Sequence, residues 1–270
     1  MRQWERKAEK LRSLVSALGS AAVAFSGGAD STLVAKIARD ELGARVIAVT
    51  IESPLYPRSE LDAAKNVARR IGIRHLVVRT DPLTSKAFSS NPADRCYLCK
   101  LEDLKQVRKI ADERGLKEVV DGSNADDRTD YRPGMKAKEK LGVRSPLAEV
   151  GIRKEDVREI SKALRLPTAS KRASPCLASR IPYGEIITKE KLRMIEQAED
   201  YLRSKGFDDV RVRAHGTVAR IEVSPDQISK LASGTTRSAI ARKLHSIGFS
   251  YVSLDLEGYR MGSMNEVLGI

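Results

Sequence analysis

The sequence predicts an α/β protein: a parallel sheet with helices on both faces, followed by a small α+β domain with an antiparallel sheet. Three observations carry this expectation. Short apolar runs alternate with amphipathic helical segments over the first two-thirds of the chain. Connections of helix length imply right-handed crossovers between parallel strands. After about residue 186 the rhythm changes to a helix, an alternating pair of strands, more helix and a last strand.

The elements follow in order. "SAAVAF" at 20–25 reads as a buried strand, and a helix starts at Asp30 or Ser31 and stops at Gly43. "RVIAVTI" is a strand, "SELDAAKNVARRIG" a helix ending at Gly72, and "HLVVRT" a strand. The segment from Cys99 to Gly115 is a helix, "KEVVDGSN" a strand running into a loop, and 153–166 a helix stopped by Pro167. Residues 81–98 and 121–150 are rich in Pro, Gly, Ser, Asn and Asp, and compact folds rarely keep such long loops without a use for them. A third irregular stretch holds "SPCLASRIPYG". In the last part, 188–206 is helical, "DVRVRAHGTVARIEV" is a hairpin, 226–248 is largely helical and "YVSLDLEGYR" is a strand. The expected domains are 1–167 and 187–270, with a linker at 168–186 that carries Cys176.

Composition narrows the function classes. The chain is 41% hydrophobic and 31% charged, as soluble domains are. No apolar run approaches the roughly 20 residues of a membrane span, and the charged start "MRQWERKAEKLRSLVSAL" lacks a signal-peptide core. A cytoplasmic protein without membrane contact is expected. Three cysteines argue against a disulfide framework. A net charge of +13 favours phosphorylated or polyanionic partners.

One motif points to a particular anion. "AVAF-SGGADS-TLVAKIA" is a strand, a glycine turn and a helix start. Gly27 and Gly28 let backbone N–H groups approach a phosphate, and the helix adds its positive end. Ser26 and Ser31 supply hydroxyls. Asp30 would repel phosphate unless a metal lies between them, so Mg²⁺ is expected there. The loop has neither the lysine of G-x-x-x-x-G-K-[ST] nor the spacing of G-x-G-x-x-G. S-G-G-x-D-S after a strand resembles the PP-loop of ATP pyrophosphatases. That resemblance implies an enzyme that cleaves ATP between its α- and β-phosphates, adenylates a substrate and releases AMP and pyrophosphate. "DGSNADDRTDYRPG" places Asp121, Gly122, Ser123 and Asn124 at the end of a later strand, where a parallel sheet presents residues to a nucleotide. Gly122 and Asn124 are candidate nucleotide contacts, and Asp126, Asp127 and Arg128 are candidates for metal or phosphate.

Cys96, Cys99 and Cys176 admit four readings. Structural zinc wants four ligands, and His75, His215 and His245 are not spaced near a cysteine. A redox pair leaves Cys176 unexplained, and inert buried thiols fit poorly at a polar helix start. An iron–sulfur cluster held by three cysteines leaves one iron open. The blocks "SGGADS", "NPADRCYLCK", "DGSNADDRTDYRPG", "SPCLASRIPYG" and "GYRMGSMNE" resemble the LarE family across nearly the whole chain. These are ATP-dependent sulfur transferases of nickel-pincer nucleotide biosynthesis. The resemblance implies adenylation of a carboxylate of pyridinium biscarboxylic acid mononucleotide and replacement of oxygen by sulfur. It also implies two sulfur sources: Cys176 gives up its own sulfur, or Cys176 joins Cys96 and Cys99 to hold a [4Fe–4S] cluster whose extra sulfide is transferred. The C-x-x-C pair makes the cluster type the expectation, with an external sulfide donor and a homo-oligomeric assembly.

The implied substrate carries a phosphate and carboxylates, so it needs cations. Arg180 lies near Cys176, and Arg211 and Arg213 share one strand face. These three are candidate ligands. Arg260 is a weaker one, and Glu222 and Asp226 either order the arginines or bind metal. A PP-loop tRNA thiolase is the alternative. The charge favours it, whereas the 4% aromatic content and the lack of an added RNA-binding module disfavour nucleic acid.

Overall fold

The computed structural model describes residues 2–128, 134–171 and 174–268. The chain divides into two compact units, 1–82 with 94–174, and 83–93 with 175–270. The segment 83–93, expected in the first domain, packs with the second. There, Asn91 donates to the Ile181 and Pro182 carbonyls, and the amides of Gly184 and Ile187 donate to the Asn91 and Ser89 carbonyls.

The first unit opens with α1 (Gln3–Ala17), β1 (Ala21–Ala24), α2 (Ala29–Leu42), β2 (Val46–Glu52), α3 (Arg58–Ile71) and β3 (Arg74–Arg79). After the short α4 (Lys86–Ser89) of the second unit come α5 (Arg95–Glu113), β4 (Glu118–Val120), α6 (Gly134–Lys140), α7 (Pro146–Glu149) and α8 (Lys154–Ala163). The four strands are parallel in the order β3-β2-β1-β4. One face buries Leu11 and Val15 of α1, Leu33 and Ile37 of α2, Ala64 and Val67 of α3, and Val157 and Ile160 of α8. The other packs Ile47, Val49 and Val119 against Val107 and Ala111 of α5. Both sheet faces are therefore covered, which is why β1 and the first half of β2 are apolar at every position. This is the α/β architecture expected.

Helix α1 had no counterpart in the sequence reading. Its charged residues hide an apolar stripe whose members Leu11 and Val15 are fully buried. The stretches 81–98 and 121–150 are not continuous loops. They contain α4, the first turn of α5, α6 and α7.

The second unit adds α9 (Lys189–Ser204), β5 (Arg211–His215), β6 (Val218–Glu222), α10 (Ile228–Ala232), α11 (Gly234–Ile247) and β7 (Tyr251–Leu254). Strands β5 and β6 form the expected antiparallel hairpin, but β7 pairs parallel to β6. The small sheet is mixed, not antiparallel. The helical connection α10–α11 carries the chain back across the sheet, so β7 enters in the direction of β6.

Candidate active site

The loop between β1 and α2 stands at the carboxyl end of a central strand. Gly27 adopts φ +68°, and a Cβ there would lie 2.7 Å from Ala64 Cα of α3. Both facts require glycine. Gly28 caps α2, and Ser31 ties the turn together. Its Oγ lies 3.3 Å from the Ser26 amide, 3.1 Å from Ser26 Oγ and 3.3 Å from the Gly28 carbonyl. Ser26 Oγ also accepts from the Gly28 amide at 3.3 Å. Asp30 is half-exposed in the first turn of α2. The turn gathers backbone N–H groups and two hydroxyls at a helix N-terminus, a setting that favours anions, with one carboxylate beside it. A carboxylate with phosphate oxygens is a fitting donor set for Mg²⁺.

Two elements support this loop from below. Thr50 Oγ1 donates to the Phe25 carbonyl at 2.6 Å, and His75 Nε2 lies 2.7 Å from the same hydroxyl. Burial, and then the charge of Lys65, hold the His75 pKa below its ordinary value. Lys171 Nζ reaches the loop from far along the chain, 3.1 Å from the Gly27 carbonyl and 2.7 Å from Glu60 Oε2 of α3.

The end of β4 meets the same helix start. A Cβ on Gly122 would lie 2.6 Å from the Ser31 amide nitrogen, so glycine lets β4 and α2 touch. Asp121 is buried and accepts from the Ser123 amide, Ser123 Oγ and Ser145 Oγ. Burial alone would raise its pKa. Lys100, Lys138, Ser145 and Ser123 outweigh that and hold it low. Buried Lys138 donates to Ser123 and Ser145 at 2.8 and 3.1 Å. Asn124 is 1% exposed, and its Nδ2 finds no acceptor among the described residues. Asp126 and Asp127 serve this loop: Asp127 accepts from the Asn124 amide and Asp126 from the Lys154 amide. The Arg128 side chain lies outside the described residues.

Cys96 sits in the first turn of α5 and Cys99 opens the second; the helix starts at Arg95 and not at Cys99 as expected. Their spacing puts both thiols on one helix face. Cys99 Sγ lies 3.7 Å from Asp103, whose pKa burial pushes up to about 6. None of the three cysteines is held in a disulfide. Among the described residues no three His, Cys, Asp or Glu side chains form a metal-binding group.

In the second unit, Cys176 precedes a 3₁₀ turn, Leu177–Arg180. Its carbonyl accepts from the Ser179 amide, Ser179 Oγ and Arg180 Nη1 at 3.1, 2.8 and 3.0 Å. Arg180 is 1% exposed and forms a two-point pair with Glu199 of α9 at 2.9 and 3.1 Å. Burial would raise the Glu199 pKa; Arg180, Arg203 and the Val212 amide outweigh it and hold it low. Arg213 pairs with buried Glu222 at 2.6 Å and donates to the Ser179 carbonyl at 3.2 Å. Glu222 thus orders Arg213, and it also pairs with Arg220. Arg211 differs. Its guanidinium stacks 4.8 Å from the Tyr259 ring centroid and has no carboxylate partner among the described residues. Burial and then the Arg180 charge lower its pKa. Arg260 joins a surface set with Asp255, Glu257 and Glu266, and Asp226 is exposed. Arg180 and Arg213 thus hold the Cys176 turn, Arg211 lies within electrostatic reach of both, and Arg260 stays on a solvated network. Glu199, Lys138 and Lys171 were not singled out from the sequence, because no local motif marks them.

The profile of the asparagine synthase family matches residues 9–88, the part that contains the phosphate loop. An uncharacterized protein of Synechocystis sp. is 46% identical over 98% of both chains. A subunit of the glutamine-hydrolyzing GMP synthase of Methanosphaerula palustris is 24% identical over 70% of this chain and 65% of its own. The pyridinium-3,5-bisthiocarboxylic acid mononucleotide synthase of Lactiplantibacillus plantarum is 40% identical over 97% of this chain and 95% of its own. With a PP-loop at the head of a parallel sheet and a relative of that identity along its whole length, the chain belongs to the LarE family.

Proposed function

We propose that the chain is an ATP-dependent sulfur transferase that adenylates a carboxylate of pyridinium biscarboxylic acid mononucleotide and replaces an oxygen with sulfur. The backbone cradle at Ser26–Ser31, in a chain that matches a synthase of the bisthiocarboxylic mononucleotide along its length, carries this reading. A carboxylate oxygen attacks the α-phosphorus of ATP. The bond from that phosphorus to the bridging oxygen breaks, and pyrophosphate leaves with the electron pair. A sulfur nucleophile then attacks the acyl carbon, and AMP leaves with the carbon–oxygen pair.

The residues divide the work. Ser26, Gly27, Gly28 and Ser31 hold the polyphosphate, and Asp30 holds Mg²⁺. Gly122 allows close approach at the helix start, and the Nδ2 of Asn124 donates to the nucleotide. Arg211 takes the substrate phosphate, for its guanidinium contacts the Val210 carbonyl and the Tyr259 ring and forms no ion pair with a carboxylate among the described residues. Arg180 and Arg213 contribute field to that site and fix the Cys176 turn through Ser179 and the Cys176 carbonyl. Cys96, Cys99 and Cys176 would hold a [4Fe–4S] cluster, which supplies an open iron that carries sulfide from an external donor. Three thiols outside any disulfide, two of them one turn apart at a helix N-terminus, support that assignment.

One observation favours a second sulfur source. Three hydrogen bonds hold the Cys176 carbonyl, while its Sγ makes none among the described residues. A thiolate there could attack the acyl adenylate, release AMP and form a thioester. Loss of the Cα proton and cleavage of the Cβ–S bond would then leave the thiocarboxylate and dehydroalanine.

Anaerobic turnover with ATP, sulfide and either the mononucleotide or bulk tRNA tests the reading. Thiolated mononucleotide with AMP and pyrophosphate is the expected result. A thiolated base in tRNA, or ADP as product, would overturn it. Mass spectrometry of the used protein separates the sulfur sources, since the sacrificial route removes the Cys176 sulfur and the cluster route does not.

A further inference from the structure

The phosphate loop has a charge problem. ATP brings roughly four negative charges at neutral pH, and residues 26–31 offer hydroxyls, amides and the carboxylate of Asp30, but no cation. The structure brings one from about 140 residues away along the chain. Lys171 Nζ stands 3.1 Å from the Gly27 carbonyl, and its carboxylate partner Glu60 lies one turn before Ala64, the residue on which Gly27 packs. Glu60 and Ala64 therefore share the α3 face turned to the loop.

The backbone that delivers Lys171 is anchored. Leu166 and Thr168 are buried, and the Lys171 amide closes a turn on the Thr168 carbonyl at 3.0 Å. The side chain is not locked, because the Lys171 and Glu60 side chains keep 23% and 28% of their exposure. An ammonium has three N–H donors, and Gly27 and Glu60 engage two. Among the described residues the third donor has no partner, and it suits a phosphate oxygen. A partly exposed pair of this kind is weak enough to yield its lysine to a more highly charged anion.

We propose that Lys171 is the polyphosphate lysine of this site. It contacts the β- and γ-phosphates of ATP and then the departing pyrophosphate, and Glu60 holds the ammonium at the loop between turnovers. The inference rests on the ATP reading above and extends it to a residue outside the loop motif.

Calorimetric titration with Mg²⁺–pyrophosphate and, separately, with AMP tests it on wild type, Lys171→Met and Glu60→Gln. Lys171→Met should weaken pyrophosphate by at least about tenfold, as loss of a charge-assisted contact does, and leave AMP within about twofold. Glu60→Gln frees the ammonium, so it should hold or tighten pyrophosphate. A purely structural tie predicts the opposite: both variants break the same pair and weaken both ligands alike, and that result would overturn the proposal. Unchanged pyrophosphate affinity in Lys171→Met would also overturn it. Should Lys171→Met lose AMP through misfolding, Lys171→Gln takes its place with the same expected readings, for it keeps a donor to Gly27 without the charge. Wild type that binds neither ATP nor pyrophosphate would instead remove the ATP reading itself, and this proposal with it.

Discussion

The phosphate loop and the arginine cluster are both anion sites in appearance, and they are built in opposite ways. The loop uses backbone: N–H groups at a helix start, two glycines and hydroxyls from within six residues. The cluster uses side chains, and two of its three cations are already neutralised by buried carboxylates. Glu199 takes Arg180 and Glu222 takes Arg213, which leaves Arg211 without a carboxylate among the described residues. Sharing a strand face thus says little about an arginine's task until its partners are known. Each arginine can be a ligand or a strut, whereas a glycine turn with Gly27 at positive φ against a helix has few alternatives.

The largest effect should come from the loop. Gly27→Ala forces an L-residue into positive φ and against Ala64. Pyrophosphate release should fall by at least about a hundredfold, because displaced phosphate groups lose alignment. Asp30→Ala should abolish pyrophosphate release as well, yet with little change in melting temperature, since the site is a surface turn. A Gly27→Ala enzyme of near-normal rate would break the backbone half of the comparison.

The arginine struts come next. Arg180→Met leaves buried Glu199 with only half-exposed Arg203 and the Val212 amide as partners, and should cost about 3 kcal/mol in chemical denaturation, the lower end for a broken buried pair. Arg180→Met with Glu199→Gln should recover more than half of that, since the amide oxygen can still accept from the Val212 amide. If Arg180→Met leaves stability unchanged and weakens only substrate, Arg180 is a ligand, not a strut.

Arg211→Met should do the reverse. Stability should stay within about 1 kcal/mol, because no described ion pair is lost, and affinity for the substrate phosphate should fall about tenfold. Equal effects from Arg180→Met and Arg211→Met would erase the distinction.

The smallest effect is a pH dependence beneath the loop. The folded state holds His75 neutral, with a pKa below its ordinary 6.5. The unfolded chain therefore binds the proton more readily, so stability is lost as pH falls through 6.5 toward the folded value. His75→Gln should flatten this part of the melting-temperature profile between about pH 7 and 5. A profile equally steep in the variant would assign the dependence to another group.

Particular residues show how far the sequence could be read. The strands and helices around the loop were legible because β1, β2 and α2 are buried nearly throughout and their apolar runs say so. Helix α1 was not, since its two fully buried positions sit among charges. The direction of β7 was not, because strand sequences carry period but not polarity. Cys96 and Cys99 were legible as a pair, while the helix turn beneath them was hidden by the Pro, Asn and Asp that precede it.

What the sequence alone determined is local. Six residues of the loop, the glycines at 27 and 122, and the C-x-x-C spacing specify their own geometry, because backbone sterics and hydrogen bonds act over a few residues. Tertiary structure decided which charges are matched and which remain available to a ligand. Glu199 reaches Arg180, and Lys171 reaches Gly27 and Glu60, only after the chain has folded. Coulombic partnership depends on distance in space and on burial, and neither is written in sequence spacing.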